Sequence, residues 1–423
     1  MRRHMMVGFI VVCAAAVGTL TALAAPQTPG AAPLQVAPLA SPAAAAGSFL
    51  PQMTTSDRGI LLSWVERAGK QATLKFAERT PSGWTAARTV AAGDNWFVNW
   101  ADVPSVVRLP GGALAAHWLQ KSGASTYAYD VMLSRSTDGG ATWSAPFSPH
   151  HDGTKTEHGF ASLFAMPGGG LGLVWLDGRA MSTEPAMVGM DHGGGDMTVR
   201  FAAYDGTWKQ TADMLVDARV CECCPTTVAV TAEGVITAFR NRSDAEVRDI
   251  HVARLTGGRW SEPQAAHADN WKIDACPVNG PSLSARGRNV VLAWFTGVNN
   301  QNHAHVAFSK DAGKTFGDAM PLDDGKTLGR VDVELLADGS ALAAWIESAA
   351  SGAELRVRRV WPSGQRSPAV TVAPMSNTRS SGYPRMAVSG DEVVFAWTDV
   401  VAGQAASADG GVRLKTASAK LPK

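Results

Sequence analysis

Short apolar runs alternate along this chain with clusters of Gly, Pro, Asp and Ser, and few stretches carry the apolar spacing of a long helix. One unit recurs. It is an apolar strand ending in an aromatic residue, found at 61–64, 115–118, 173–175, 236–239, 292–294, 343–345 and 395–397, with Trp64, Trp118, Trp175, Phe239, Trp294, Trp345 and Trp397 at the ends. Successive aromatics stand 54, 57, 64, 55, 51 and 52 residues apart. A period near fifty with about four short strands per unit predicts the blade of a β-propeller. Each unit reads as an inner strand, often opened by proline (Pro104, Pro225, Pro281, Pro384), then the strand ending in Trp, a third strand, a hairpin and an outer strand. The last unit stops after residues 412–416, and residues 33–39, ahead of the first unit, are the expected missing outer strand. Such closure removes exposed sheet edges. The expectation is therefore an all-β chain of seven four-stranded antiparallel blades, with six blades as the alternative.

Gly 43, Pro 23 and Trp 14 fit a turn-rich β protein. Arg2 and Arg3 precede an apolar run over 5–23, and Ala22-Leu23-Ala24 has the form of a cleavage site. This predicts a secretory signal at 1–24 rather than a membrane span. An Ala/Pro-rich segment over 25–47 follows, and then one propeller domain over 48–420. Cys13 lies inside the apolar run behind Val12, where lipid attachment needs a small residue, so a lipid anchor is not expected. No other run is long and apolar enough to span a bilayer. The chain is expected to be periplasmic or secreted, and monomeric. With 38 Lys+Arg against 37 Asp+Glu, nothing points to nucleic acid or an anionic membrane surface.

The hairpin of the second unit reads Ser136-Thr137-Asp138-Gly139-Gly140-Ala141-Thr142-Trp143, and Ser309-Lys310-Asp311-Ala312-Gly313-Lys314-Thr315-Phe316 repeats it later. Weaker echoes lie at 80–84, 204–208 and 256–260. The aspartate can turn onto backbone N–H groups and the glycines supply positive φ. This pattern resembles the Asp-box, or BNR repeat, of the sialidase superfamily. The resemblance covers nearly all of the chain after the signal and implies a propeller. In that superfamily these turns lie opposite the active face, so Asp138, Gly140, Trp143, Asp311, Gly313 and Phe316 are expected to be structural.

The other face is then the ligand face. Where inner strands begin it gathers Asp102, Glu157 with His158, residues 221–224, Cys276 with Asn279, Arg330 with Asp332, and Tyr383 with Arg385. Loops after the Trp strands add Asp177, Arg179, Arg240, Arg242 and Arg248. Six arginines exceed what turns need, and guanidinium groups fork onto carboxylates. A glycan or other anionic small ligand is the expected partner, held by Arg179, Arg240, Arg242, Arg248, Arg330 and Arg385 together with Asp177, Glu157, His158 and Asn279. Trp96, Trp100 and Trp271 fit either sugar stacking or blade packing.

The resemblance also implies a test of chemistry. Sialidases hold a sugar carboxylate with three arginines and use a tyrosine nucleophile and an aspartate acid/base. Tyr383 and Asp102 are the matching candidates here, with Arg240, Arg330 and Arg385 as possible anion ligands. The family's first arginine is missing, because the corresponding stretch reads Phe49-Leu50-Pro51-Gln52-Met53. The expectation is a binding protein without sialidase activity. The alternative is a glycoside hydrolase of exo-α-sialidase type.

Cys221, Cys223, Cys224 and Cys276 open two adjacent units. In an exported chain an even set of cysteines predicts disulfides. Neighbouring Cys223 and Cys224 should point to opposite faces of a strand, so a bridge to Cys276 is expected. The sharper alternative is a periplasmic copper-handling protein, since thiolates prefer Cu(I) or Zn and the loop after Trp175 holds Met181, Met187, Met190, His192 and Met197. Apart from that copper reading, no cofactor is expected.

Overall fold

The computed structural model describes residues 33–43, 45–181, 195–400 and 411–421. Seven antiparallel sheets follow one another along the chain. Blade 1 pairs Ser48–Ser56, Gly59–Ala68 and Gln71–Thr80, with Arg88–Gly93 outside. Blade 2 is Ser105–Arg108, Leu114–Lys121 and Tyr129–Ser136, and Phe147 bridges to Leu133 in the outer position. Blade 3 is His158–Ala165, Leu171–Asp177, Met197–Tyr204 and Gln210–Val220. Blade 4 is Thr227–Thr231, Gly234–Arg240 and Ile250–Thr256 with two short outer pieces. Blade 5 is Ser282–Arg286, Asn289–Thr296, His303–Ser309 and Met320–Pro321. Blade 6 is Thr327–Leu335, Ala341–Ala349, Gly352–Val360 and Val370–Met375. Blade 7 is Arg385–Ser389, Glu392–Val400 and Val412–Lys420. Each inner strand touches the inner strands of both neighbouring blades, so the ring is closed. Seven blades, not six, complete it.

The recurring aromatic explains why the units stack. Trp64, Trp175, Trp294 and Trp345 are among the largest fully buried side chains. Each offers a broad apolar body to the neighbouring blade, and full burial of a large side chain contributes about 1.5–3 kcal/mol. Their indole N–H groups would be orphaned in such a core. In three blades the acid two residues on accepts the bond: Trp64 Nε1 to Glu66 at 3.0 Å, Trp175 Nε1 to Asp177 at 2.9 Å and Trp345 Nε1 to Glu347 at 2.5 Å.

At the hub the inner strands bulge. Leu50, Phe160 and Arg330 take φ of 54°, 50° and 54°, a region that side-chain-bearing residues rarely adopt. In each case the ladder register shifts at that point. The freed N–H is taken by a side chain from the preceding blade: Leu50 N donates to Thr398 Oγ1, Phe160 N to Asp102 Oδ1 and Arg330 N to Asn279 Oδ1. These cross-blade bonds hold the strained residues in place.

The two Asp-box turns have one construction. Asp138 Oδ1 accepts from Thr142 N and Ser136 Oγ, and Asp138 Oδ2 accepts from Thr142 Oγ1. Asp311 does the same with Thr315 and Ser309. Gly140 has φ of 88°, and a Cβ there would fall 2.4 Å from the Phe76 ring. Trp143 meets Phe76 edge-on at 6.1 Å. Gly313 and Phe316 occupy the matching places, and Phe316 packs on the core between blades 4 and 5.

The ring closes on a strand from the other end of the chain. Ala37–Leu39 pairs antiparallel with Val412–Lys420, placing Leu39 opposite Thr416. Thr416 Oγ1 donates to Leu39 O at 2.9 Å. Leu34 and Val36 pack on the blade 6–7 core and Leu39 on the blade 7–1 core. A chain that starts at Ala40 loses three partly buried apolar side chains, at about 1 kcal/mol each, and leaves an open sheet edge. We expect its thermal unfolding midpoint to fall by several degrees and light scattering to rise. An unchanged midpoint would show that the closing strand is dispensable.

Candidate functional site

Four cysteine thiols meet on the face where inner strands begin. Residues 221–224 form a tight turn between blades 3 and 4 rather than the start of a strand. Cys223 and Cys224 therefore do not point to opposite sides, correcting the strand-based expectation. Cys221 Sγ lies 2.8 Å from Cys224 Sγ and 3.7 Å from Cys223 Sγ. All three sulfurs lie within 4.8 Å of one another. The Cys276 thiol, from the loop before blade 5, joins them by hydrogen bonds to Cys221 and Cys223. None of these four cysteines is in a disulfide, so the expected bridge to Cys276 is not formed here.

The chain around them places both halves of the cluster. Cys221 N donates to Arg240 O at 2.9 Å. The Arg240 side chain, 1 % exposed, reaches the other way. Its Nε and Nη2 donate to Asn279 O, Nη2 also to Phe295 O, and Nη1 to Arg248 O. Its guanidinium lies 4.9 Å from the Trp271 ring centroid. Asn279 also caps Arg330 N with its side chain.

A buried ion-pair network borders the thiols. Arg248 Nη1 lies 3.6 Å from Cys221 Sγ and donates to Glu222 Oε2 at 3.0 Å, while its Nη2 donates to Glu246 at 2.9 Å. Arg242 pairs with Glu222 and Glu246. Burial pushes the Cys221 thiol up, but hydrogen bonds from Cys223, Cys224 and Cys276 and the charge of Arg248 outweigh it, leaving Cys221 well below the usual thiol range. Burial, with hydrogen bonds to Cys221, raises the Cys223 and Cys224 thiols, and the hydrogen bond to Cys221, with burial after it, raises Cys276.

Next to this cluster sits a buried acid pair. Tyr129 OH lies 2.7 Å from Glu157 Oε1 and 3.1 Å from Asp102 Oδ2. Burial raises Asp102 to about 7. Burial, with the nearby charges of Asp102, Glu222 and Cys221, raises Glu157 to about 8. Beyond Glu157, His158 stacks on His150 with centroids 3.8 Å apart, among Asp130, Asp152 and Asp177. Asp177 accepts Arg179 in a fork, Nε to Oδ1 and Nη2 to Oδ2, each at 2.7 Å.

The six arginines do not form an anion cradle. Arg179, Arg242 and Arg248 are paired with carboxylates, and Arg240 is bound to backbone carbonyls. Arg330 Nη1 donates to Thr378 O, Ser381 Oγ and Gly382 O, beneath the Trp100 ring at 4.7 Å. Arg385 alone of the six lines the axial cavity of about 170 Å³, which draws on all seven inner strands and includes Gln52, Ser105, Ser162, Asp332 and Glu334. Among the described residues, its buried Nε has no hydrogen-bond partner. Tyr383 OH donates to Val278 O at 2.7 Å and is 2 % exposed, while Asp102 serves Tyr129 and Phe160 N. The two proposed catalytic groups thus belong to separate hydrogen-bond sets. Trp96 stacks on Trp118, Trp100 on Tyr383, and Trp271 packs on Phe295 and under Arg240, so all three are packing residues. Met181 packs on the blade 3–4 core and Met197 is buried there; Met187, Met190 and His192 lie outside the described residues.

Residues 62–395 match the BNR repeat-like domain. No curated protein matches the chain. Among solved structures, a Dyadobacter fermentans protein of unknown function superposes with a TM-score of 0.53 at 15% identity, covering 93% of this chain and 100% of that one. Polysaccharide lyase Uly1 gives 0.52 at 10% identity, covering 90% of this chain and 91% of that one. A variant of NanB sialidase from Streptococcus pneumoniae gives 0.45 at 9% identity, covering 89% and 90%. Identities this low speak to the fold alone.

The acid pair makes a pH prediction. A carboxyl whose folded pKa is raised stabilises the fold fully below its unfolded value and loses that contribution as pH rises through the folded value. Glu157, at about 8 when folded, therefore weakens the fold between about pH 5 and 9. Glu157→Gln keeps the acceptor for Tyr129 and removes the ionisation. We expect its unfolding free energy to fall less than the parent's between pH 5 and pH 9, the gap being on the order of a few kcal/mol by linkage. Parallel curves for the two proteins would contradict the raised pKa.

Proposed function

The chain belongs to the BNR repeat-like domain family, and because its seven-bladed ring gathers the sulfurs of Cys221, Cys223 and Cys224 at the hub with Cys276 hydrogen-bonded to Cys221 and Cys223, we propose that it is an exported protein that binds Cu(I). The observation that carries this is the convergence of three sulfurs from one turn within 4.8 Å, with a fourth thiol from the next blade joined to them. Neighbouring ligands of a d10 ion bound at about 2.3 Å stand roughly 3–4 Å apart; the Cys221–Cys223 spacing of 3.7 Å falls in that range, and the Cys221–Cys224 spacing of 2.8 Å is shorter, so that pair must part slightly to share an ion. Thiolate donors select Cu(I) and Zn(II) over harder ions. Burial of Cys221 and Cys224 shields the site from water. Arg248 beside Cys221 offsets negative charge that gathers on the sulfurs when the ion binds.

A second reading keeps the fold's carbohydrate associations. It rests on the axial cavity, where Arg385 faces a polar wall with Glu334 and Asp332. A uronic or sialic acid ring would place its carboxylate on Arg385. That reading is of binding, because the Tyr383 hydroxyl is committed to Val278 O. We expect no turnover of a fluorogenic sialoside. Turnover that disappears in Tyr383→Phe would restore the hydrolase reading.

For Cu(I), the reduced full-length protein is titrated anaerobically against a chromophoric Cu(I) chelator. We expect one Cu(I) per chain to be withdrawn from the chelator. Cys221→Ser should weaken retention by more than about 100-fold, beyond the 10–100-fold typical of changes outside the ligand set. Zn(II) should bind more weakly than Cu(I). A chelator that keeps all its copper, or equal retention by Cys221→Ser, would overturn the proposal.

A further inference from the structure

The turn that carries three of the hub thiols holds two of them closer than a shared ion needs. Cys221 and Cys224 begin and end it, with Glu222 and Cys223 as the turn residues between. The ends of a tight turn stand less than about 7 Å apart at Cα, and a disulfide joins Cα atoms about 4.4–6.8 Å apart. The backbone therefore already offers the span of a bridge. The side chains agree with it: Cys221 Sγ lies 2.8 Å from Cys224 Sγ, about 0.8 Å beyond the length of a disulfide bond. Cys223 Sγ is further from Cys221, at 3.7 Å.

The surroundings hold this pair and decide what reaches it. Glu222 pairs with Arg242 and Arg248, and Cys221 N donates to Arg240 O, so the turn is braced on both sides. Pro225 follows and abuts the next blade, where a Cβ on Gly280 would fall 2.2 Å from Pro225 O. Arg248 Nη1 lies 3.6 Å from Cys221 Sγ. A cation beside a sulfur favours the thiolate, which is the form that attacks an oxidant. Cys221 and Cys224 are each 1% exposed, and Cys223 and Cys276 are half-buried, so the oxidant must be small. A bridge to Cys276 is the competing closure. Cys276 hydrogen-bonds Cys221 and Cys223, but its loop is tied where Arg240 Nε and Nη2 donate to Asn279 O. Joining Cys221 to Cys276 pulls on loops of two blades, whereas joining it to Cys224 moves side chains within one turn.

We propose that Cys221 and Cys224 are an oxidation site for a small hydroperoxide, which joins them in one disulfide and leaves Cys223 and Cys276 as thiols. Cys221 Sγ attacks one peroxide oxygen. The S–O bond forms, the O–O bond breaks, and the departing hydroxide takes the thiol proton to leave as water. Cys224 Sγ then attacks the sulfur of this sulfenic acid. The S–S bond forms, the S–O bond breaks, and the second thiol proton leaves with the hydroxyl as a second water. The sulfur pair gives up two electrons and the peroxide takes both. The bridge stands on the sulfur geometry. Its consequence, that closure removes two of the thiols available to Cu(I), rests on the Cu(I) reading.

The purified protein, reduced and freed of metal, is treated with hydrogen peroxide. Its mass should fall by two hydrogens, and peptide mapping should find Cys221 linked to Cys224 with Cys223 and Cys276 still open to alkylation. Dithiothreitol should restore the starting mass. A variant keeping Cys221 alone, with Cys223, Cys224 and Cys276 replaced by serine, should hold its sulfenic acid long enough for a dimedone probe to trap it. Keeping Cys224 as well should abolish that adduct in favour of the bridge. Circular dichroism reports whether each variant has folded. No loss of hydrogens, a bridge that includes Cys223 or Cys276, or no adduct on Cys221 in the folded single-cysteine hub would each overturn the proposal. The Cu(I) titration of the reduced protein is judged separately: a chain that forms this bridge but leaves the chelator its copper refutes the Cu(I) reading and not the oxidation site.

Discussion

Arg240 is the strut on which the hub cluster depends. Its backbone carbonyl holds Cys221 N, and its guanidinium holds the carbonyl of Asn279, three residues beyond Cys276. One side chain thus sets the separation of two cysteine-bearing loops from adjacent blades. Its cost is the burial of a full positive charge, which is tolerable because backbone carbonyls and the face of Trp271 surround it. Removing it would leave several buried carbonyls without donors, so its contribution is to position the cluster rather than to meet a ligand.

The same economy runs round the hub. Thr398, Asp102 and Asn279 each cap an N–H that a left-handed residue of the next blade exposes. Charged groups that a reader of the sequence would assign to ligand binding are consumed by this bracing. Arg248 and Arg242 neutralise Glu222 and Glu246, and Arg330 closes the Thr378–Gly382 loop. Among the described residues, the groups this bracing does not consume include the clustered sulfurs of Cys221, Cys223 and Cys224 and the Arg385 Nε at the axial cavity.

Much of this was legible in the chain. The aromatic period gives the blades, and the proline-led starts give the face on which chemistry gathers. The hairpins with Asp138 and Asp311 are turn residues, as their spacing implies. The Trp-x-acid pattern at Trp64, Trp175 and Trp345 was present but unread, and it explains Asp177 as an indole acceptor first. Side-chain commitment was not legible, because whether an arginine is free depends on carbonyls brought by other blades. The opposite-face rule failed for Cys223 and Cys224 because it assumes a strand, and these residues sit in a turn. Glu222, Tyr129, Asp130, His150 and Asp152 were overlooked. Glu222 stands between the cysteines. The tandem His150-His151-Asp152 gave a local hint, but only the fold of blade 2 against blade 3 shows that it returns to His158.

The most direct measurement of the central claim is the native mass of the protein purified without added reductant. The account predicts a mass that includes one d10 ion with the hub cysteines unoxidised, and loss of that ion to a Cu(I) chelator. A mass short by four hydrogens and free of metal would mean that the four sulfurs form two disulfides, and the soft-metal account would fail.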